Sequence, residues 1–597
     1  MKDIIESIIP RPKKYRLLDN DKRTIRRDYV LKCSNFNVSK IFNERLNDML
    51  GFSLYVNPMS SNAKLSFNLV DGYDKEEYKL TINNNIEIEA STERGLLYGA
   101  YTLLQLVDIS RNNMPQCEII DKPAFNYRGF YHDVTRGKMP TLESLKKLIA
   151  KASYYKYNQF QIYIEHTFMF EGMEQTWFDK APLSPDDILE LDAYASSLNV
   201  ELVPTLAIFG HMYEILRTEK YKDLCEYIEP DRDEFNFIDR MRYHTINPFD
   251  EKSFELISSM LEQFIPLFKS NKFNIGCDET FYLCKGKNKD RVKNEEQRFE
   301  IYLSFVKKIA DFVKAHGKEV MIWDDIVLNS GDPAISPDDY IYMDWDYGAN
   351  PSEENREKIS KKPKACVCAG TAAWNRLINN YDQLFANCDN LCHLAKKYGI
   401  EGYYITNWGD YGDIAKTSLV EIPMAYAASV AWQGDAVKNK IKFMKDLSRL
   451  MVHDEELLPL LLDIAKYHII TYRELNFVLY ENFIADYNLE EQIMDITRQQ
   501  ENIDYSKLSI IEEILYSKLS TVEDKDFILD LLNIIDGIRV FNSFKLTTYT
   551  YDGSYDKLCA WWYEYMEQHL KCCKPGELSR NTDVIRKLIQ KFKPSEK

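Results

Sequence analysis

Histidine is scarce in this chain, nine in 597 residues, and no His/Asp/Glu cluster stands at the spacing of metal ligands. No run approaches the roughly eighteen apolar residues that suggest a membrane span. No Gly-rich phosphate loop follows a strand-like run. Repeats with a period of about 20–50 residues are missing, and so are low-complexity tracts. A basic stripe is also lacking. The net charge of −17 argues against nucleic acid and against an anionic membrane surface as partners. Twelve cysteines are present, but Cys366 and Cys368 lie inside an apolar run and Cys572 and Cys573 are adjacent, so neither pair reads as a metal knuckle. The first twenty residues hold no apolar run of signal-peptide length. The thiols therefore read as reduced and mostly buried, and a cytoplasmic protein is expected.

The chain does hold enough apolar residues, 45% with 13% aromatic, for several large cores, and its length implies more than one domain. Residues 1–118 mix strand-like and helical runs. "KLTINNNIEIEAS" reads as a hairpin around Asn83–Asn85, and "ERGLLYGAYTLLQLV" as an apolar helix, which suits an N-terminal α+β domain. "MPQCEIIDKPAF", marked by Pro115 and Pro123, reads as a linker. From 119 to 435, short apolar runs alternate with amphipathic ones. The runs are "YRGFYHDV", "FQIYIE", "VELVPTLAIF", "FNIGC", "EVMIWD", "YIYMDWD", "ACVCAG" and "GYYITNW". Helix starts stand between them: Thr141 as a cap, then Ser184 followed by Pro185 and acids. Eight strands with mostly helical connections predict an α/β fold, a (β/α)8 TIM barrel. The alternative, a doubly wound sheet, usually has fewer strands and often a phosphate loop. Residues 436–597 read as a C-terminal α-helical domain, its Leu and aromatic stripes serving as core or as a homodimer interface.

A barrel builds its site where the strands end. There the sequence places Asp133 and Arg136, with Arg128 near the start of the same strand; Glu165 and His166; Gly210 and His211; Asp278 and Glu279; then Trp323, Trp345, Trp374 and Trp408, with Asp410 two further on. Four of the chain's eight tryptophans fall at this mouth. Aromatic walls and carboxylates suit a sugar, whose C–H face packs on rings while its hydroxyls bond to acids. Adjacent strand residues point to opposite faces. Asp278 and Glu279 are therefore not expected to be the facing carboxylate pair of an ordinary glycosidase.

"NIGCDE" resembles the His-x-Gly-Gly-Asp-Glu signature of glycoside hydrolase family 20, the β-N-acetylhexosaminidases. "YRGFYHDVTRG" resembles that family's first barrel strand, "LAIFGHM" its segment after strand three, and "YKLTINNNIEIEASTERGLLYGAYTLLQL" the small domain before its barrel. The layout is most similar to the intracellular bacterial exo-β-N-acetylglucosaminidases of the family. The resemblance implies substrate-assisted catalysis, in which the substrate's 2-acetamido oxygen attacks the anomeric carbon and an oxazoline forms. It implies Glu279 as the general acid and then base, and Asp278 as the group that orients the acetamido N–H. It implies His211 with Glu165 as a relay behind the acid, and Arg128 as the residue gripping O3 and O4. Trp323, Trp345 and Trp408 match the walls, Trp374 by position only, and Asp410 matches the residue reaching O4 and O6. The acetamido carbonyl falls to Tyr347, with Asn375 as its rival. No cofactor and no metal are implied.

Two letters depart from the signature: Asn274 replaces its His and Cys277 its second Gly. Asn274 is expected to point away from the bond, and Cys277 to be inert packing. His132 and His166 are expected to be structural hydrogen-bonders. The expected partner is a glycan with a terminal β-N-acetylhexosamine. A non-catalytic sugar-binding protein on the same barrel is the competing reading, and a glycosidase for phosphorylated or non-acetylated hexosaminides is a third.

Overall fold

The computed structural model describes residues 1–227, 243–330, 336–481 and 489–594. The N-terminal sheet has seven strands: β1 (Lys14–Arg23), β2 (Val30–Cys33), β3 (Tyr55–Val56), β4 (Leu65–Leu69), β5 (Tyr78–Ile82), β6 (Ile86–Ala90) and β7 (Met114–Asp121). Their order is β1-β7-β5-β6-β4-β2-β3. The Asn-rich hairpin is β5 against β6, antiparallel. Helices α1 (Phe36–Leu50) and α2 (Glu93–Ile109) cover the sheet, and α2 starts where Thr92 Oγ1 accepts the Gly95 N–H. The segment read as a linker is a strand. β7 pairs with both β1 and β5, because Met114, Cys117 and Ile119 supply buried apolar residues for the sheet. Pro115 stands near the strand's start, a position a sheet tolerates.

The eight expected strands close into a parallel barrel. They are β8 (Tyr127–Asp133), β9 (Gln159–Ile164), β10 (Glu201–Leu206), β11 (Lys272–Asn274), β12 (Glu319–Trp323), β13 (Ile341–Trp345), β14 (Ala365–Gly370) and β15 (Gly402–Asn407). The connections include α3 (Leu142–Tyr154), capped by Thr141, and α4 (Pro185–Ser197), opened by a Ser184/Asp187 capping box. They continue with α5 (Glu251–Phe264), α6 (Glu295–Ala315), α7 (Glu353–Ile359), α8 (Tyr381–Lys397) and α9 (Glu421–Gln433). Alternate residues of the strands fill the interior: Tyr131, Tyr163, Val203, Met321, Met343, Cys366 and Tyr404. Gly129 makes this stack possible, since a Cβ there would sit 1.9 Å from the Tyr404 ring. The same interior cluster continues upward through Trp323 and Trp408, so the core runs into the floor of the mouth.

The C-terminal part is mainly helical, from α10 (Lys440–Val452) through α11 (Leu457–Ile464), α12 (Tyr472–Tyr480), α13 (Leu489–Glu501), α14 (Ser506–Lys518), α15 (Lys525–Asn542) and α16 (Tyr555–Leu570) to α17 (Leu578–Lys591). The run from Asp524 to Tyr551, expected to be helical with the rest of this domain, is a helix only as far as Asn542, and Phe544–Lys545 and Thr550–Tyr551 then pair as a small hairpin. Of the helical-looking run "TYRELNFVLYENFI", the part after Glu481 falls outside the described residues. Among the described residues, no helix is long and apolar enough to cross a membrane.

Candidate active site

β11 is short because the chain turns sharply after it. Gly276, Cys277 and Glu279 take φ of +64, +66 and +48. The left-handed region costs a non-glycine residue about 1–2 kcal/mol, and such strain collects at functional sites. Gly276 needs its freedom, since a Cβ there would come within 3.2 Å of the Leu206 carbonyl. The pleat argument fails for the acids: neither lies in the strand, and the turns swing both to one side. Asp278 Oδ2 and Glu279 Oε2 stand 3.2 and 3.5 Å from the same atom, His211 Nε2. His211 (φ +58) and Asp410 (φ +45) share the left-handed backbone.

Arg136, on the loop after β8, organises the opposite side of His211. Its Nη2 lies 3.1 Å from His211 Nδ1 and donates to Tyr163 Oη at 3.1 Å, while its Nε donates to Glu165 Oε1 at 3.0 Å. A guanidinium can only donate. Nδ1 therefore accepts, and the ring proton sits on Nε2, facing the carboxylates. Burial opposes charging His211, while the Asp278 carboxylate raises its pKa above the ordinary value and Arg136 opposes that rise. Charging the ring would require giving up the Arg136 bond to Nδ1, so Arg136 works against the rise that Asp278 causes. The same argument bears on metals. His211, Asp278 and Glu279 bring one ligand atom each within 4.8 Å of one another, and an ion there would have to displace the Nε2 proton while Arg136 holds Nδ1. Burial raises the Glu279 pKa and Asp278 adds to the rise, although His211 and Arg136 pull against it. Its side chain remains 34% exposed, open to a ligand.

The cavity holds about 210 Å³ and is lined by Arg136, His211, Asp278, Glu279, Trp323, Trp345, Tyr347, Trp374, Trp408 and Asp410. That is small beside the about 300–1,000 Å³ of drug-sized pockets and suits a single ring. Trp323 and Trp408 meet at 5.8 Å, Trp345 stacks on Tyr347 at 5.2 Å, and Trp374 leans on Tyr347 at 5.3 Å. Trp408 Nε1 donates to Tyr347 Oη at 2.7 Å, which fixes that hydroxyl at the wall. Asp410 is 37% exposed at the rim, 3.7 Å from Arg136 Nη1.

Three expectations need correction. Arg128 is not at the mouth. It is the second residue of β8, at the barrel's opposite end, 1% exposed, paired with Glu76 at 2.8 Å and donating to the Phe125 and Lys156 carbonyls and Tyr98 Oη. It joins the barrel to the N-terminal domain and, at the start of its strand, cannot reach the end where the site is built. Arg136 holds the place expected for Arg128. Glu165 connects to His211 through Arg136, so a cation stands inside the expected relay. Asn375 turns its carbonyl oxygen to the Tyr411 N–H at 3.0 Å and lies outside the lining residues. Other readings agree with the geometry. Asn274 is buried, donating to Gln161 and accepting from the Gly276 N–H. Cys277 is buried with its thiol pKa pushed up. His132 bonds to Asn407, its pKa lowered to about 3 by burial, and His166 bonds to Glu577.

Two residues near the acids escaped sequence reading. His244, 4.3 Å from the His211 ring, lies 2.9 Å through Nε2 from the Glu279 carbonyl oxygen and donates to it. Asp325 accepts the Glu279 N–H at 3.0 Å and so holds its left-handed backbone. The visible signal was a second acid directly after Asp324 at the end of β12. Burial, with Asp278 adding, pushes the Asp325 pKa up to about 8. The folded state therefore binds this proton more tightly than the unfolded chain. The resulting loss of stability grows as pH rises from about 4 to about 8 and is constant above. Asp325→Asn keeps an acceptor for the Glu279 N–H without the charge. Its melting temperature is expected to exceed wild type at pH 8 and to match it near pH 4; an equal difference at both pH values would contradict this account.

The model of glycosyl hydrolase family 20, catalytic domain, matches residues 125–374, and that of the family's domain 2 matches residues 6–122. Together they span more than half of the chain. The chain belongs to glycosyl hydrolase family 20. Among its relatives, a β-hexosaminidase of Porphyromonas gingivalis is 26% identical over 274 residues, 40% of this chain and 34% of the relative. Human hexosaminidase D is 25% identical over 240 residues, 39% of this chain and 47% of the relative. The chain thus spans about a third to a half of the length of these relatives. The solved chitobiase of Flavobacterium johnsoniae shares the fold, with a TM-score of 0.61 at 18% identity, covering 99% of this chain and 100% of that one.

Proposed function

We propose that this family 20 protein is an exo-acting retaining β-N-acetylhexosaminidase that removes terminal β-linked GlcNAc, with GalNAc as the second candidate sugar, by substrate-assisted catalysis. The observation that carries the reading is the convergence of Asp278 and Glu279 on one imidazole nitrogen in an aromatic, single-ring cavity. Two carboxylates held against the same nitrogen do not face each other across a glycosidic bond, so the nucleophile has to come from elsewhere. The 2-acetamido oxygen supplies it. As that oxygen attacks the anomeric carbon, Glu279 passes its proton to the glycosidic oxygen and the C–O bond breaks. Asp278 accepts the acetamido N–H and balances the positive charge of the oxazoline-like intermediate. Glu279, now ionised, takes a proton from water as the water opens the ring, so two inversions give net retention.

In this reading Arg136 and Asp410 hold ring hydroxyls, Tyr347 holds the acetamido carbonyl, and the tryptophans pack on the sugar and the acetyl methyl. His211 keeps Asp278 and Glu279 in register, positioned in turn by Arg136 and Glu165. A phosphorylated hexosaminide suits the cavity poorly. Among the described residues, its one lining arginine or lysine, Arg136, is outnumbered by Asp278, Glu279 and Asp410.

The test compares aryl β-glycosides of GlcNAc, GalNAc, glucosamine and glucose. Turnover confined to the two acetamido sugars is expected, with tight inhibition by a GlcNAc thiazoline. Comparable turnover of the glucoside, or indifference to the thiazoline, would remove acetamido participation. Binding of GlcNAc without hydrolysis of any member would favour the sugar-binding reading.

A further inference from the structure

We propose that the C-terminal helical domain completes the active site: its segment from residue 577 to 581 clamps the loops that carry Arg136, Glu165 and Asp410, with Glu577 and Asn581 as positioning residues. Neither family model reaches this segment, and sequence reading left the domain with a role only in core packing or dimerisation.

Asn581 is fully buried and enters between two loops of the barrel mouth. Its Nδ2 donates to the Gly137 carbonyl at 3.1 Å, one residue after Arg136, and to the Asp413 carbonyl at 3.0 Å, three after Asp410. The loops already touch there, since the Asp413 N–H donates to the Arg136 carbonyl at 2.7 Å. Both loops have glycine where Asn581 arrives. A Cβ on Gly137 would lie 2.7 Å from the Asn581 amide, and one on Gly412 2.2 Å from its Oδ1. Gly137 also sits at φ +86. Space and backbone on the two barrel loops are thus shaped around one side chain of α17.

Glu577 bonds to the first of these loops again and to one more, the loop after β9. Its Oε2 accepts the Gly137 N–H at 3.2 Å, and its Oε1 meets His166 Nε2 at 2.9 Å, one residue after Glu165. Arg580 continues around the mouth, pairing with Glu214 at 3.3 Å on the loop that carries His211. Buried polar groups keep this many partners only in a defined arrangement. The loops after β8, β9, β10 and β15 are all held from one short stretch, and these four supply Arg136, Glu165, His211 and Asp410. The clamp therefore positions three of the cavity's polar lining residues, Arg136, His211 and Asp410.

A hydroxyl held by Arg136 is held in the ground state and the transition state alike, so loosening its loop should appear mainly in KM. The proposal uses the hexosaminidase reading only as its assay. In the full-length protein, Asn581→Ala and Glu577→Leu are expected to raise KM for the β-GlcNAc aryl glycoside about tenfold, the scale of one lost hydrogen bond, with a smaller change in kcat. Glu577→Gln, which retains an acceptor, should recover part of the loss. Leu588→Ala, a core change on the same helix, should lower the melting temperature with KM unchanged. Amide exchange at Gly137 should quicken in Asn581→Ala and not in Leu588→Ala. Wild-type KM in Asn581→Ala, or an equal KM rise in a Leu588→Ala protein of matched stability, would overturn the clamp. If wild type hydrolyses no hexosaminide, the functional reading fails by itself and exchange at Gly137 decides the clamp.

Discussion

Glu279→Gln is expected to lower kcat on a β-GlcNAc aryl glycoside by about 10²–10⁴-fold, the usual contribution of a general acid–base group, with an unchanged melting curve. The amide matches the carboxylic acid in shape, and the backbone N–H bonded to Asp325 is untouched, so the fold has no reason to respond. The pH profile supplies a second readout. The acid must be protonated to act, and burial together with Asp278 raises its pKa. Activity in wild type should therefore persist above the ordinary carboxylate range and fall as pH rises through the raised value. Glu279→Gln should lose that alkaline limb, because the residue no longer titrates. The leaving group discriminates further: a nitrophenolate that departs without much protonation should suffer less in the first step than an alkyl alcohol. Near-wild-type turnover of both would remove Glu279 from the acid role.

The barrel was legible because burial on both faces turns each parallel strand into a short apolar run, and eight such runs in order leave few topologies. The acids were legible as a motif, but their geometry was not. Alternation holds only while the chain stays extended, and the left-handed φ at Gly276, Cys277 and Glu279 cancels it within five residues of Asn274. Nothing in a linear reading marks a non-glycine residue as left-handed. The linker at residue 114 misled for a related reason: proline punctuates most segments, but at the start of a strand it is tolerated. Long-range partners were beyond reach altogether. Asn581 lies 444 residues from Gly137, and its role appears only in the two glycines that make room for it.

The two arginines of "YRGFYHDVTRG" show how strand direction decides function, and they give the other large expected effect. Arg136→Lys keeps the charge but loses the fork that reaches Glu165, Tyr163 and His211 together. Losing two charge-assisted hydrogen bonds at about 1.5–3 kcal/mol each should lower kcat/KM by at least about 10²-fold, because His211 is no longer fixed in its tautomer. Arg128→Met should do the reverse. It strips the partner from Glu76, a buried carboxylate whose pKa is raised by burial but lowered more by Arg128 and its other partners. Breaking a buried pair from one side costs about 3–5 kcal/mol. The melting temperature should fall steeply, while the remaining folded protein keeps its wild-type KM. Measuring melting temperature and kcat/KM for both variants separates the roles. A large kinetic defect in a well-folded Arg128→Met protein, with Arg136→Lys near wild type, would return the sugar-gripping role to Arg128. That result would also require the start of β8 to lie near the substrate, against the barrel closure in which every strand runs the same way and Arg128 pairs across to Tyr403 at the far end of the interior stack.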